Sequence, residues 1–304
     1  DDVRRQTNIF IQGTEDKDLL ASYSIIQEGG RVIPEDERIT LMKVANQMDF
    51  STWETGYTNY WGDMEKSIEA WSNKYLTFNA DGKITYIQWS ANNAKGVVPK
   101  EMGDFVYMEK LILNMKGLTG KLPSQLGNLK RLKHLEINNS TMAVEVCPEI
   151  GNLSELTYLK IAAANSIVTE EVFEAIGYLE NLEEISLDAA HYPAAIPESW
   201  GNLKKLKKLT ITGLGITDIS AIARMTSLKT LSLGNILRAS DITILPEFTR
   251  LEELESLTIN NLGQLTEIPA SIGSCINLKT FSLQRSGLIS LPEEMSGLKN
   301  VTSV

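Results

Sequence analysis

The sequence carries one short apolar pattern, L-x-x-L-x-L, nine times between residues 84 and 283, with other apolar residues at some of its positions. The second position of each unit is held in turn by Ile87, Leu111, Leu135, Leu159, Ile185, Leu209, Leu231, Leu257 and Phe281. Successive members of this series are about 24 residues apart, a spacing typical of a repeat architecture. A tenth unit begins at Val301 and Val304. Regular spacing on this scale constrains the fold strongly, because every unit must then form the same small structural element.

The pattern itself indicates what that element is. In a unit such as Leu132, Leu135 and Ile137, the last two side chains alternate and therefore point to one side of a short strand. One such strand cannot bury its apolar side alone, whereas a stack of neighbouring parallel strands builds a continuous core. The sequence therefore predicts an α/β solenoid with a curved, parallel sheet on its concave side.

The segment between strands must return the chain to the start of the next one. In "LTGKLPSQLGNLKRLKHLEIN", residues 118–138, this return segment supplies three more apolar anchors, Leu122, Leu126 and Leu129. Pro123 is suited to the start of a short helical turn and Gly127 to its end. We therefore interpret the recurring frame of the unit as scaffold.

At residue level, these units resemble the plant-type leucine-rich repeat, whose signature is L-T-G-x-I-P-x-x-L-G-N-L, and their period lies within the roughly 20–29 residues of that family. The matching pieces are "LTGKLPSQLGNLKRLKHLEI", "KGVVPKEMG" (95–103), "AAIPESWGNLKKLKKLTI" (194–211) and "LTEIPASIGSCINLKTFSL" (265–283). One unit, "GITDISAIARMTSLKTLSL" (215–233), resembles the internalin-type repeat instead. The resemblance covers residues 84–304, which we assign to the solenoid.

Residues 34–83 resemble the N-terminal capping region of leucine-rich repeat proteins. Pro34 and Asp36 favour a helix start, and Leu41, Val44, Ala45 and Met48 share one helical face. A turn at Asn79-Ala80-Asp81-Gly82 predicts a hairpin that leads into the first repeat. Large aromatic residues suit a cap that covers the open end of a core, and they are Trp53, Trp61, Trp71 and Trp89. Residues 1–33 form an N-terminal extension of unknown structure.

Two departures from the family pattern carry predictions. The only cysteines, Cys147 and Cys275, lie far apart within the repeats, so the cap lacks the cysteine pair of plant receptors, which favours a bacterial protein. The asparagine ladder is also nearly absent, since only Asn92 occupies its position. The inner turn is therefore expected to be less regular than usual. The family resemblance alone implies a secreted or cell-surface-anchored protein.

The sequence offers no signal for catalysis. No nucleotide-binding, zinc-protease or serine-hydrolase motif occurs, and the only histidines are His134 and His191. The register places His134 on a strand and Cys147 on a return segment, facing different sides. We therefore predict that the protein is not an enzyme and needs no cofactor or metal. The net charge of −10 argues against nucleic-acid binding, and no apolar run reaches the length of a membrane span.

The residues between the buried leucines should face outward on the concave sheet, three from each repeat. In the first half they include aromatic residues and both signs of charge, whereas the second half carries mostly small hydroxyl residues. Interface hot spots favour aromatic and charged anchors. The predicted partner-binding residues are Tyr86, Lys110, His134, Glu136, Tyr158, Lys160 and Glu184. The same residues also suit an ordinary sheet, because Tyr is a good strand former and Lys–Glu neighbours pair across strands.

The expected function is recognition of a protein or peptide through the concave face. Two alternatives remain open at this point. Tyr86 and Tyr158 offer rings on which a sugar can stack, which would make the protein a glycan binder. The repeats can also belong to a larger enzyme or adhesin whose other domains lie outside this sequence.

Overall fold

The structure is a computed structural model that describes residues 33–47, 76–138, 141–213, 215–235 and 242–302. The N-terminal extension before Ile33 and the predicted cap tryptophans Trp53, Trp61 and Trp71 lie outside these ranges. No helix within the described ranges is long and apolar enough to span a membrane.

A helix and a hairpin precede the first repeat. Helix α1, Glu35–Gln47, begins with three acidic residues that favour the positive end of its dipole, and its Leu41 and Val44 are fully buried. Strand β1, Leu76–Phe78, pairs antiparallel with β2, Ile84–Gly96, around the predicted turn. The helix is tied to β2 by Glu37, which accepts a hydrogen bond from the backbone N–H of Ile84 at 3.2 Å. The helix start and the hairpin predicted from the sequence are therefore present.

The remaining strands form the solenoid. They are β3 (Lys110–Leu118), β4 (Gly120–Lys121), β5 (His134–Asn138), β6 (Val144–Glu145), β7 (Tyr158–Ile167), β8 (Glu184–His191), β9 (Lys208–Gly213), β10 (Thr230–Gly234), β11 (Ser256–Asn260) and β12 (Thr280–Gln284). The main sheet runs β1-β2-β3-β5-β7-β8-β9-β10-β11-β12, and every pair after the first is parallel. The short β4 and β6 pair beside it.

The apolar pattern becomes one continuous core behind this sheet. In all nine repeats the three pattern positions are at most 1% exposed, apart from Leu283. Leu283 lies on β12, which has a partner strand on one side only, and it is partly buried. Leu122, Leu126 and Leu129 of the return segment reach the same core. This arrangement confirms the predicted leucine-rich repeat solenoid with parallel strands.

The return segments contain short 3-10 turns that stack on one another. The turn of the unit quoted above is Ser124–Asn128, and Pro123 precedes it, close to the predicted start. The predicted role of Gly127 as a turn terminator is wrong, because Gly127 lies inside the turn and lacks a positive φ. A Cβ at Gly127 would instead lie 2.7 Å from the carbonyl oxygen of Glu149 in the next repeat, so the glycine permits close stacking.

One return segment contains an α-helix in place of a 3-10 turn. After β7 the chain forms a second α-helix, α2, Glu170–Ile176, in a repeat whose return segment is longer than most. Thr169 caps it by accepting a hydrogen bond from the N–H of Val172 at 3.4 Å, and two glutamates occupy its first turn. Here the chain forms an α-helix where most other repeats have a 3-10 turn.

The strands also end differently in the two halves of the solenoid. Strands β2, β3, β7 and β8 continue past the apolar pattern, so their backbone groups stay paired where an asparagine ladder would otherwise satisfy them. Strands β10, β11 and β12 stop soon after the pattern ends. Each is followed by a residue with a left-handed backbone: Asn235, Asn261 and Arg285, with φ of 52°, 57° and 54°. The irregular inner turn expected from the sequence thus has two distinct forms.

Candidate recognition surface

The outward residues of the sheet form three rows that cross the strands in register. The first row contains Tyr86, Lys110, His134, Tyr158, Glu184, Lys208, Thr230, Ser256 and Thr280. The second row contains Gln88, Ile112, Glu136, Lys160, Ser186, Thr210, Ser232, Thr258 and Ser282. The third row contains Ser90, Asn114, Asn138, Ala162, Asp188, Thr212, Gly234, Asn260 and Gln284. These are the outward positions predicted from the sequence.

We call the seven predicted partner-binding residues the recognition patch. They occupy five adjacent strands, β2, β3, β5, β7 and β8, in the first and second rows. The structure therefore brings all seven into one contiguous area. This placement follows from the register, because each predicted residue lies beside its counterpart from the neighbouring repeat.

The first edge of the patch is a cation–aromatic pair. The ammonium of Lys110 lies 5.2 Å from the ring centroid of Tyr86, within the range of a cation–π interaction. The hydroxyl of Tyr86 donates a hydrogen bond to Gln88 on the same strand. The aromatic ring of Tyr86 and its hydroxyl thus each have a partner on the sheet surface.

The centre of the first row is an aromatic stack. The imidazole of His134 and the ring of Tyr158 lie 4.1 Å apart and are nearly parallel, at 7°. Adjacent strands are about 4.8 Å apart, close to the distance between the two rings. The rings therefore stack along the direction that crosses from one strand to the next. The rings consequently stand on the sheet with their edges toward solvent and with one face of each covered by the other.

The histidine is held largely neutral by this environment. Burial lowers the pKa of His134, and the nearby positive charge of Lys110 lowers it further, while the hydrogen bond and charge of Glu136 act in the opposite direction. Burial also raises the pKa of Tyr158, with the carboxylates Glu136 and Glu184 acting in the same direction. The stack at neutral pH is therefore an uncharged pair.

Glu136 is the polar centre of the patch. Its carboxylate accepts a hydrogen bond from the Lys160 ammonium at 3.0 Å and another from the Asn138 side-chain amide, and it lies 3.4 Å from Nε2 of His134. Burial raises the pKa of Glu136, but these contacts, led by Lys160, outweigh it and the pKa is lowered. Glu136 is therefore a carboxylate at neutral pH, with its orientation fixed from three directions.

Two residues that contact the recognition patch were not among the seven predicted from the sequence. Lys208 forms an ion pair with Glu184 at 2.8 Å across β8 and β9. Asn138 helps to orient Glu136 from the third row. The strand register places Lys208 beside Glu184, and it places Asn138 next to Glu136 on the same side of β5. This register was the signal that would have identified Lys208 and Asn138.

The second half of the concave face is chemically different. On β10, β11 and β12 the first two rows consist entirely of Ser and Thr, and no salt bridge joins outward residues of these described strands. Beyond the strands, the side-chain amide of Asn261 donates to Asn235, and Arg285 donates to Asn261 at 3.4 Å. The organised polar side chains here lie at the ends of the strands and not on the sheet.

The described residues offer no arrangement of groups suited to catalysis by thiol or metal. Cys147 is fully buried and lies 3.5 Å from the carbonyl oxygen of Pro123, and burial raises the pKa of its thiol to about 11. His134 has its own partners on the opposite side of the sheet, as the register predicted. Within the described ranges no three His, Cys, Asp or Glu side chains form a group that could hold a metal ion.

Fold and surface together define a leucine-rich repeat solenoid with an organised set of polar and aromatic residues on its concave face. No protein-family model matches the sequence, and no curated protein matches it significantly. Solved structures do match: the plant peptide hormone receptor RGFR1 in complex with RGF2 has 21% identity and a TM-score of 0.53 over 74% of this chain. The Arabidopsis receptor kinase HAESA ectodomain with an IDA peptide hormone has 18% identity and a TM-score of 0.54 over 88%.

A third structural match has a different character. A plant ice-binding protein has 17% identity and a TM-score of 0.59, and the match covers 90% of this chain and 86% of that protein. The chain spans 36% of the RGFR1 chain and 52% of the HAESA chain, so it corresponds to only part of each receptor. At these identities the matches establish the leucine-rich repeat fold.

Proposed function

We propose that the protein is a non-catalytic recognition module that binds a protein or peptide partner through the recognition patch. The observation that carries this proposal is the mutual fixing of the patch side chains. Tyr158 stacks on His134, Lys110 lies over Tyr86, and Glu136 has three partners. A surface ordered before the partner arrives loses less conformational freedom on binding, which favours affinity.

The composition of the patch supports the same proposal. Aromatic and charged anchors contribute most of the binding energy in many interfaces, and they occur together here on five adjacent strands. One structural neighbour is a plant peptide hormone receptor in complex with RGF2, and another binds an IDA peptide hormone. An ice-binding protein has the same fold, so the argument rests on the side chains of this chain.

Glycan binding receives less support from the geometry. Sugar rings stack on an open aromatic face, and one face of Tyr158 is covered by His134. The ring of Tyr86 carries Lys110 over it. The glycan alternative therefore stays a prediction without a specific observation in its favour.

We also propose that the protein acts outside the cell, as a secreted or surface-anchored protein of bacterial type. The support for an extracellular location is that one neighbour is a receptor kinase ectodomain and another is a peptide hormone receptor. The bacterial assignment and the plant-type and internalin-type repeat assignments rest on the sequence pattern. The division into residues 1–33, a cap at 34–83 and a solenoid at 84–304 is likewise a proposal, as is membership of a larger protein.

The test is a selection of displayed random peptides on the immobilised protein, followed by calorimetry with the enriched peptides. The patch variant carries Lys110→Glu, His134→Glu and Lys160→Glu. We expect it to bind an enriched peptide at least about tenfold more weakly than the wild type, because it reverses two charges and removes the aromatic stack.

A matched control uses the flank of the same sheet. Lys133→Glu, Thr157→Glu and Lys207→Glu change the net charge by the same amount when His134 is neutral, and these residues lie one position before the concave rows. We expect the flank variant to bind within about twofold of the wild type. Equal loss in both variants, or no loss in the patch variant, would remove the patch from the binding site. A glycan array run in parallel tests the alternative partner.

A further inference from the structure

The charges on the concave face are not all neutralised by one another. In the three rows from β2 to β9 there are three lysines and three carboxylates: Lys110, Lys160, Lys208, Glu136, Glu184 and Asp188. Four of them form two ion pairs, Glu136 with Lys160 at 3.0 Å and Glu184 with Lys208 at 2.8 Å. Lys110 and Asp188 form no salt bridge with any residue that the structure describes.

Lys110 and Asp188, the two charges without an ion pair, mark opposite corners of a rectangular area of the concave sheet. Lys110 shares the first row with Glu184, three strands away, and Asp188 lies further along β8 in the third row. With strands about 4.8 Å apart and a rise of about 3.3 Å per residue, the corners are separated by about 14 Å across the strands and about 13 Å along them. The diagonal is therefore about 20 Å, roughly the length of six residues of extended peptide.

The surface between these corners carries no net charge. The Glu136–Lys160 ion pair lies on the diagonal, and the edges of the His134–Tyr158 stack lie beside it. A partner that matches this surface has an anionic group at one end, a cationic group at the other and a neutral middle. A polyanion such as nucleic acid would meet Asp188 with the wrong sign, and an uncharged glycan would leave both corners unused.

We infer that the partner is an extended peptide segment that carries an acidic group over Lys110 and a basic group, about six residues away, over Asp188. This inference rests on the proposed function and specifies its ligand. Charge complementarity selects among peptides because a like charge placed at either corner is disfavoured. The acidic and basic groups can be side chains or a chain terminus, and the order in which they occur sets the direction of the peptide.

Single charge reversals give a test that does not depend on that direction. A library of displayed random dodecapeptides is selected on the wild type, on Lys110→Glu and on Asp188→Lys, all at low ionic strength. We expect wild-type selections to enrich one acidic and one basic residue about six positions apart. Lys110→Glu should enrich two basic residues at that spacing, and Asp188→Lys two acidic residues, because each reversal changes the preference at one corner only.

The control reversals are Lys133→Glu and Glu183→Lys on the flank of the sheet. Their native charges are already paired, with Glu109 at 3.0 Å and with Lys207 at 2.7 Å. Selections on these variants should keep the wild-type pattern of one acid and one base. Synthetic peptides with sequences enriched on the wild-type protein should bind the Lys110→Glu variant about tenfold more weakly than the wild type. They should bind the Lys133→Glu variant less than about twofold more weakly.

The outcomes separate this inference from the proposed function. Enriched peptides that bind at the recognition patch but lack the spaced pair of opposite charges overturn the inference and leave the proposed function standing. The same result follows if Lys110→Glu selects the same pattern as the wild type. Failure to enrich any peptide on the folded wild-type protein overturns both. Thermal unfolding followed by circular dichroism establishes that each variant is folded, which we expect because neither Lys110 nor Asp188 forms an ion pair with any described residue.

Discussion

The two halves of the concave face share one backbone and differ in almost everything displayed on it. From β5 to β12 the strands align residue for residue, and the same buried positions fill the core. The first half displays stacked rings and ion pairs, whereas β10, β11 and β12 display rows of hydroxyl groups. The comparison teaches that the buried leucines set the register, so the outward residues are free to serve recognition.

The two halves also satisfy the backbone hydrogen-bonding groups that follow the apolar pattern in different ways. Strands β7 and β8 remain hydrogen-bonded to each other beyond the pattern, as far as Ile167 and His191. In the second half, left-handed residues follow β10, β11 and β12, and side-chain hydrogen bonds join Asn235, Asn261 and Arg285. Neither solution is the asparagine ladder of the family pattern.

The largest expected effect concerns how tightly successive return segments stack. We predict that Gly127→Ala lowers the free energy of unfolding by about 1–3 kcal/mol, because the new Cβ would lie 2.7 Å from the carbonyl oxygen of Glu149. Gly297→Ala, in the last 3-10 turn of the second half and one position later in its turn than Gly127, should stay within about 0.5 kcal/mol of the wild type, since no atom lies within 4 Å of its Cβ. Urea unfolding measures both, and equal effects would contradict the stacking role of Gly127.

A smaller effect separates the outward faces themselves. We predict that Glu136→Gln costs about 1 kcal/mol of stability, because it weakens charge-assisted contacts to Lys160, His134 and Asn138. Thr258→Val, in the same row of the second half, should change stability by less than about 0.5 kcal/mol. A double-mutant cycle with Lys160→Met isolates the Glu136–Lys160 coupling. A coupling near zero would show that the patch is not held together by this ion pair.

The smallest effect is a change in proton affinity within the first half, since the second half beyond β8 contains no histidine. Lys110→Met should raise the pKa of His134, because the positive charge of Lys110 helps to lower it. Titration of the two histidines by NMR measures this, with His191 as the internal reference. An unchanged His134 pKa would contradict the proximity of Lys110 and His134 in the first row.

The same lowered pKa fixes the sign of a pH dependence. The pKa of His134 in the folded protein lies below its unfolded value of about 6.5, so the unfolded chain takes up the proton first. The free energy of unfolding therefore declines as the pH falls through about 6.5 and toward the folded pKa. In His134→Gln this decline should be reduced, as urea midpoints measured across the pH range would show.

The sequence was sufficient to predict the strands, their register and the outward residues, because the spacing of two alternating leucines determines which side chains face the core. Leu135 and Ile137, for example, fix His134 and Glu136 as outward residues without further information. What it did not supply was the reason for Gly127, which depends on the position of Glu149 in another repeat. Helix α2 was also missed, although Thr169 and the longer return segment marked its place.

The arrangement within the patch was equally out of reach of the sequence. The register places Lys160 beside Glu136 and Lys208 beside Glu184, but which charges pair depends on side-chain conformation. The stack of His134 on Tyr158 likewise depends on two side-chain rotations that no pattern encodes. For that reason the seven predicted residues were identifiable individually, whereas the neutral middle and the two charges without an ion pair became visible only in the structure.

The ion pairs between neighbouring strands also restrict how this protein can be shortened, lengthened or recombined. Removing the repeat that contains β7 would bring Glu184 beside His134 and leave Glu136 beside Ser186, so Glu136 would lose its lysine. Removing the repeat that contains β11 would bring Thr280, Ser282 and Gln284 beside β10, so the outward rows would keep their chemistry, but Lys279 would come beside Lys229 without Glu255 between them. The order of the repeats is thus constrained by the outward rows in the first half and by the flank of the sheet in the second half.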